Sequence, residues 1–147
     1  MNDNPQATFR TVRGYQLLNQ QEGRLTSAME DYLEMAYRLC LEDGYTRVGT
    51  ISEKLHVKPS SASKMISRLV DWGYLEYDRY ESIMLTAKGE QMGRYLVRRH
   101  NIVERFLQLI GCTNSLKEAE LIEHSLSPET VERLNTLLEF FSVDPDS

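Results

Sequence analysis

Glu120, Glu123 and His124, in the stretch EAELIEH, stand at i, i+3 and i+4 of a segment punctuated by apolar residues. That spacing stacks two carboxylates and an imidazole on one face of a helix. There they could ligate a metal, act as an acid-base pair, or form a solvated surface. Asp31 and Glu34 make a second acidic pair at i, i+3 in MEDYLE, and a lone His100 lies inside a long helical run. Mixed oxygen and nitrogen donors with no thiolate nearby suit a borderline-hard ion such as Mn(II) or Fe(II) better than a structural zinc. Plainer readings exist: Asp31 and Glu34 as acids favoured near a helix N-terminus, and His100 as a histidine salt-bridged beside Arg99 and Glu104. Against them, Glu120 and Glu123 sit among Leu121, Ile122 and Leu126 in a short helix that must pack on something, so at least one carboxylate is expected in a partly buried space. Burying several carboxylates unpaired costs several kcal/mol or forces them to take up protons, and a divalent cation removes that cost. Hydrolysis is poorly served: no nucleophile is apparent, no polar and aromatic cleft surrounds the acids, and HExxH is absent.

The elements that must carry these groups are legible from capping signals and periodicity. SAME offers Ser27 as an N-cap with Glu30 three residues on, and opens a helix with Met29, Leu33, Ala36, Tyr37 and Cys40 inward until Gly44 stops it. TISE, from Thr50 to Glu53, reads as a second capping box opening a short helix with Ile51 and Leu55 inward. Pro59 suits the first position of a third helix, whose stripe is Ala62, Met65, Ile66 and Leu69. After Trp72-Gly73 the period changes to two short strands, Tyr74 to Tyr77 and Ser82 to Leu85, too small a ribbon to stand without the helices. Thr86 caps a long helix to about Leu109, closed by Gly111. SLKE, from Ser115 to Glu118, opens the helix that carries EAELIEH, and Ser127-Pro128 starts a last helix with a stripe of Val131, Leu134, Leu137 and Leu138.

The chain of 147 residues is long enough for one compact domain or two small ones sharing a core. Its formal charge of -5 is unevenly spread: between Arg47 and Arg68 five basic residues face only Glu53, whereas from Asn101 onward nine acidic residues face three basic ones. A basic reading surface followed by an acidic module is the expectation. Cys40 and Cys112 lie far apart, so no disulfide framework or thiolate metal knot is indicated. No apolar run approaches the roughly 18 to 20 residues that span a bilayer, and no apolar signal segment follows the polar start, so a soluble, cytoplasmic chain without membrane association is expected. Residues 1–25, with Arg10, Arg13 and Arg24, read as a basic arm.

A short helix, a brief turn and a helix with a small-polar, basic outer face make a helix-turn-helix, and the hairpin behind it makes the winged variety. A helix entering the major groove needs short side chains that let its backbone approach, with a few long donors. Ser60, Ser61, Ser63, Lys64 and Ser67 meet that need, Arg68 suits the DNA backbone, Arg79 on the wing suits a phosphate or the minor groove, and Lys58 is a further candidate DNA contact. A solvated helix face is the bland alternative, and the coincidence of element order with the basic patch weighs against it. A partner-binding helical adaptor would leave patch and ribbon unexplained.

From about Thr26 onward, through SAMEDYLEMAYRL, HVKPSSASKMISRLVDWGYLEY, LTAKGEQMGRYLVRRH and IEHSLS, the chain resembles the manganese-responsive regulators of the diphtheria toxin repressor family, the short branch without a third, SH3-like domain. The resemblance implies a mainly α fold: a winged helix-turn-helix DNA-binding domain over 26–88 and a helical metal-binding and dimerisation domain over 89–147. It implies two Mn(II) ions per subunit, held by Asp31, Glu34, His100, Glu120, Glu123 and His124. It further implies a homodimer that reads palindromic double-stranded operator DNA and represses manganese uptake genes. Iron-responsive relatives place methionine where Asp31 stands and cysteine where Glu123 stands, so the two carboxylates favour manganese. A regulator of the same family responding to Fe(II) or Zn(II) is the alternative. Two departures stand out: the basic arm before Thr26, and Ser125 where many relatives have a second histidine.

Overall fold

The computed structural model describes residues 24–141. Apart from Arg24 and Leu25, the expected basic arm lies outside them. Six α-helices and a two-stranded ribbon make up the described chain: α1 Ser27–Asp43, α2 Val48–Leu55, α3 Pro59–Asp71, β1 Leu75–Tyr77, β2 Ile83–Leu85, α4 Ala87–Leu109, α5 Ser115–Ile122 and α6 Pro128–Phe141, with a 3-10 turn, Glu123–Ser125, between the last two.

The inward faces read from the sequence largely recur. Met29, Leu33, Ala36, Tyr37 and Cys40 of α1 are buried, as are Ala62, Ile66 and Leu69 of α3, with Met65 half-buried beside them. β1 and β2 pair antiparallel in the register Leu75 with Leu85 and Tyr77 with Ile83. Thr46 adds a bridge on the other side of Ile83, so the ribbon is tied to the segment leaving α1. These parts share a first core with Leu96 of α4, while further along α4 Ile102 meets Val131 and Leu138, and Val103 and Leu107 meet Ala119, two clusters joined through Phe106, Leu126 and Leu134 into a second. α4 therefore serves both cores. It lies very close to α1 at Gly93, where a Cβ would meet the Tyr37 ring at 2.5 Å.

The helix starts correct three expectations. Thr26, not Ser27, caps α1: its Oγ1 accepts from the Met29 N–H at 3.2 Å. A box closed by Glu30 does not form, because the Glu30 carboxylate is taken by Arg99 and His124. α2 starts at Val48 with no side-chain cap, before Thr50, since the Thr46 bridge turns the chain directly into the helix. Likewise Ser115 is already inside α5, and Asn114 precedes it without a side-chain cap. Thr86 does cap α4, accepting from the Gly89 N–H, and Gly111 follows the helix at φ +89°. The α6 stripe is narrower than expected, with Leu137 exposed. No helix among the described residues is long and apolar enough to cross a membrane.

Candidate metal centre and nucleic-acid interface

EAELIEH does not form one continuous helical face. α5 stops at Ile122 and the backbone tightens into the 3-10 turn, where the Leu126 N–H donates to Glu123 O at 3.2 Å. No helix can run on into α6, because Ser127 precedes a proline, which disfavours the α conformation, and Ser127 caps α6 by accepting from the Thr130 N–H. The tighter turn carries Glu123 inward until it is only 3% exposed, and largely buries His124, while Glu120 stays exposed on α5.

Glu123 links two imidazoles. Its Oε2 lies 2.9 Å from His100 Nδ1, and its Oε1 lies 3.8 Å from His124 Nε2. His100, on α4, reaches Glu104 Oε2 with its other nitrogen at 3.1 Å. His124 faces Asp31 Oδ1 at 3.1 Å through Nε2 and Glu30 Oε1 at 2.9 Å through Nδ1. Buried Arg99 donates to both oxygens of Glu30, at 3.1 and 3.4 Å, and its Nη2 stands 3.2 Å from His124 Nδ1. One ligating atom each from Asp31, Glu123 and His124 falls within 4.8 Å of the others. His100 adjoins this group through its contact with Glu123, and the charges of Glu123, His100 and Asp31 act on Glu34.

The electrostatics record an excess of carboxylate. Burial pushes the Glu34 carboxyl up from the usual range, and the charge of Glu123 adds to the shift against the opposing Arg38. The hydrogen bond to Glu123 raises His100, burial opposes it, and the charges of Glu123, Glu34 and Glu104 reinforce it. Burial alone would lower His124, yet hydrogen bonds to Asp31 and Glu30 outweigh that and carry it up to about 9. Both shifts favour the protonated imidazole, as expected where carboxylates crowd together.

Sequence reasoning anticipated the His100–Glu104 contact but missed the roles of Glu30 and Arg99. Glu30 did carry a signal, since it stands beside Asp31 and one turn before Glu34. Arg99 carried none, because its partners lie 69 and 25 residues away.

At the other end of the first core, α2 ends at His56 in the left-handed region, φ +55°, and Val57-Lys58 leads into Pro59 at the start of α3. The α3 face turned from the core exposes Ser60, Ser61, Ser63, Lys64, Ser67 and Arg68, and Lys58 is exposed at its head. On the wing, Asp78 Oδ1 accepts from the Tyr80 and Ser82 N–H groups at 2.8 Å each, closing the turn that presents Arg79 over the Tyr80 ring at 5.7 Å. Short polar side chains, flanking cations and a braced ribbon are what a groove-reading unit requires.

Residues 24–83 match the family described as iron dependent repressor, N-terminal DNA binding domain, and residues 86–147 its metal binding and dimerisation domain. The HTH-type transcriptional regulator MntR of Shouchella clausii (strain KSM-K16) is 45% identical over 118 residues, covering 79% of this chain and 82% of that protein. Its namesake in Geobacillus kaustophilus (strain HTA426) is 44% identical over 121 residues, covering 81% and 86%. Among solved structures, the manganese regulator SloR superposes with a TM-score of 0.69 at 31% identity, over 76% of this chain, and ScaR with bound Zn2+ with a TM-score of 0.65 at 31% identity, over 76%. The chain spans about half the length of these two solved regulators, 54% of each. With a mainly α fold that pairs a helix-turn-helix half with a helical carboxylate-imidazole half, the chain belongs to the iron-dependent (diphtheria toxin) repressor family, and is a transcriptional regulator rather than an enzyme.

Proposed function

We propose that this chain is an Mn(II)-activated DNA-binding repressor of manganese uptake genes, acting as a cytoplasmic homodimer. Its ligands are Asp31, Glu34, His100, Glu120, Glu123 and His124, holding two ions per subunit. The observation that carries the reading is the buried Glu123, whose oxygens face His100 on one side and His124 on the other. The residues present fit a divalent ion, since oxygen and imidazole donors of Asp31 on α1 and of Glu123 and His124 on the turn come together, with His100 of α4 2.9 Å from Glu123. A bound cation supplies positive charge that lets these carboxylates stay ionised side by side. Glu120 is exposed one turn before Glu123 and is not among Asp31, Glu123 and His124, whose ligating atoms come together.

The link to DNA is mechanical. Asp31 and Glu34 belong to α1, which packs in the core of the reading unit, whereas Glu123 and His124 lead into α6. Ligation by both groups ties the 26–88 unit to the 89–147 unit and narrows the separations open to the two α3 helices of a dimer. Operator binding then has less disorder to remove. On each half-site of a palindrome Ser60, Ser61, Ser63, Lys64 and Ser67 face the major groove, Lys58 and Arg68 the phosphates, and Arg79 the adjoining backbone or minor groove.

A gel shift on a palindromic promoter fragment, titrated with Mn(II), tests the reading; operator affinity that ignores Mn(II) overturns it. A solved relative carries Zn2+, which gives the same assay a second arm. An anaerobic response to Fe(II) or Zn(II) exceeding that to Mn(II) selects the alternative effector.

A further inference from the structure

We propose that Glu30, held in place by Arg99, is the positioning residue that decides which ring nitrogen of His124 is turned into the metal site. The inference rests on the reading of His124 as a ligand. The imidazole is gripped on opposite edges by neighbouring residues of α1: Nδ1 lies 2.9 Å from Glu30 Oε1, and Nε2 lies 3.1 Å from Asp31 Oδ1. Arg99 Nη2 also stands 3.2 Å from Nδ1. A single nitrogen cannot donate to Glu30 and accept from Arg99 at once.

The two choices have opposite consequences. Were Nδ1 to accept from Arg99, a neutral ring would carry its proton on Nε2 and offer no lone pair toward Asp31 and Glu123. With Nδ1–H donating to Glu30, the Nε2 lone pair points into the donor group. Geometry favours the second. The contact to Glu30 is the shorter, and Arg99 places both terminal nitrogens on the Glu30 carboxylate, at 3.1 and 3.4 Å. That bidentate pair is enclosed, with side-chain exposures of 4% for Arg99 and 14% for Glu30, so it holds its geometry better than a solvated pair would. Among the described residues Arg99 Nε has no partner, which leaves the guanidinium positioned through its terminal nitrogens. A carboxylate behind a metal-facing imidazole fixes the ring's tautomer and raises its basicity. Here the same carboxylate sits on α1 next to Asp31, so the start of α1 both supplies a donor and aims the one opposite.

The test uses the full chain with 15N-labelled histidine, as wild type, Glu30→Gln, the double variant Glu30→Gln/Arg99→Gln, and His124→Gln to assign the ring signals. With diamagnetic Zn(II) as the probe, two-bond proton-nitrogen spectra of the wild type should place the metal on His124 Nε2 and the proton on Nδ1. Mn(II) calorimetry should give about a 10- to 100-fold weaker affinity in both Glu30 variants, with the same number of binding events because every ligand remains. The double variant removes the buried guanidinium charge together with its partner, and carries the test if the single variant unfolds. Metal on Nδ1 in the wild type, or Mn(II) affinity within about twofold of wild type in the folded double variant, overturns the proposal. Unaltered Mn(II) binding by His124→Gln is a separate result: it removes His124 from the ligand set and takes this proposal with it.

Discussion

At the scale of single residues, Glu123 decides the most. It is a carboxylate with almost no exposure, lying between two imidazoles and close enough to Glu34 for their charges to interact. Replacing it with alanine should remove at least one Mn(II) binding event in calorimetry and abolish metal-stimulated operator binding, while far-UV helicity stays near native. Two unchanged binding events would take Glu123 out of the site. Asp31 makes the sharper wager on selectivity. It offers a hard oxygen on the exposed side of His124, and Mn(II) sits at the weak end of the first-row affinity series, so selection has to come from donor type, number and geometry. Asp31→Met should therefore lower the anaerobic response to Mn(II) more than the response to Fe(II), read as metal-dependent operator affinity. An unchanged ratio between the ions would free Asp31 of that role.

Among the elements, α3 and α4 carry consequences that no single ligand does. The outer face of α3 places Lys64 and Arg68 in solvent opposite buried Ala62, Ile66 and Leu69, so trimming either cation should leave the fold intact. Lys64→Ala and Arg68→Ala should each weaken operator binding and reduce the slope of log affinity against log salt by about 1 if each neutralises one phosphate. Wild-type affinity for both variants across a salt titration would mean that α3 is not the reading helix. α4 is constrained where it crosses α1. A Cβ at Gly93 would stand 2.5 Å from the Tyr37 ring, and that ring is itself buried. Gly93→Ala should cost about 1–3 kcal/mol in denaturant unfolding by overpacking. It should also weaken Mn(II) binding, because α1 and α4 both carry proposed ligands; unfolding and metal affinity both at wild-type values would show that the crossing has slack.

For the molecule as a whole, the apolar surface left beside the second core is the candidate dimer face. Leu137, Phe140 and Phe141 on α6 and Leu109 and Ile110 at the end of α4 are all exposed, Phe140 to 77%, and residues 86–147 match a dimerisation domain. Phe140→Glu should shift sedimentation toward monomer and lower operator affinity without removing Mn(II) binding, since the proposed ligands lie on elements other than α6. An undisturbed dimer would move the interface elsewhere. Coupling between the two halves has a further signature, because linkage is reciprocal: operator DNA should raise Mn(II) affinity by the same factor by which Mn(II) raises operator affinity.

What the sequence determined by itself is local or periodic. The Pro59 start of α3, the Thr86 cap of α4 and the Ala62-Ile66-Leu69 stripe follow from the backbone and from 3.6-residue spacing, and they place the basic face outward without reference to anything distant. Hard donors at helical spacing in MEDYLE and EAELIEH marked out candidates, of which the structure brings ligating atoms of Asp31, Glu123 and His124 within 4.8 Å of one another. Tertiary structure decided the rest. Whether Glu30 closes a capping box or leaves α1 to meet Arg99 and His124 is a competition between a weak local bond and a buried charged one, and the long-range pair wins. Only packing on α4 carries Glu123 inward while Glu120 stays in solvent, since equal spacing along the chain says nothing of where a helix tightens into a 3-10 turn. Burial, which turns a row of carboxylates into a site that requires positive charge, is a property of the assembled core and not of any one segment.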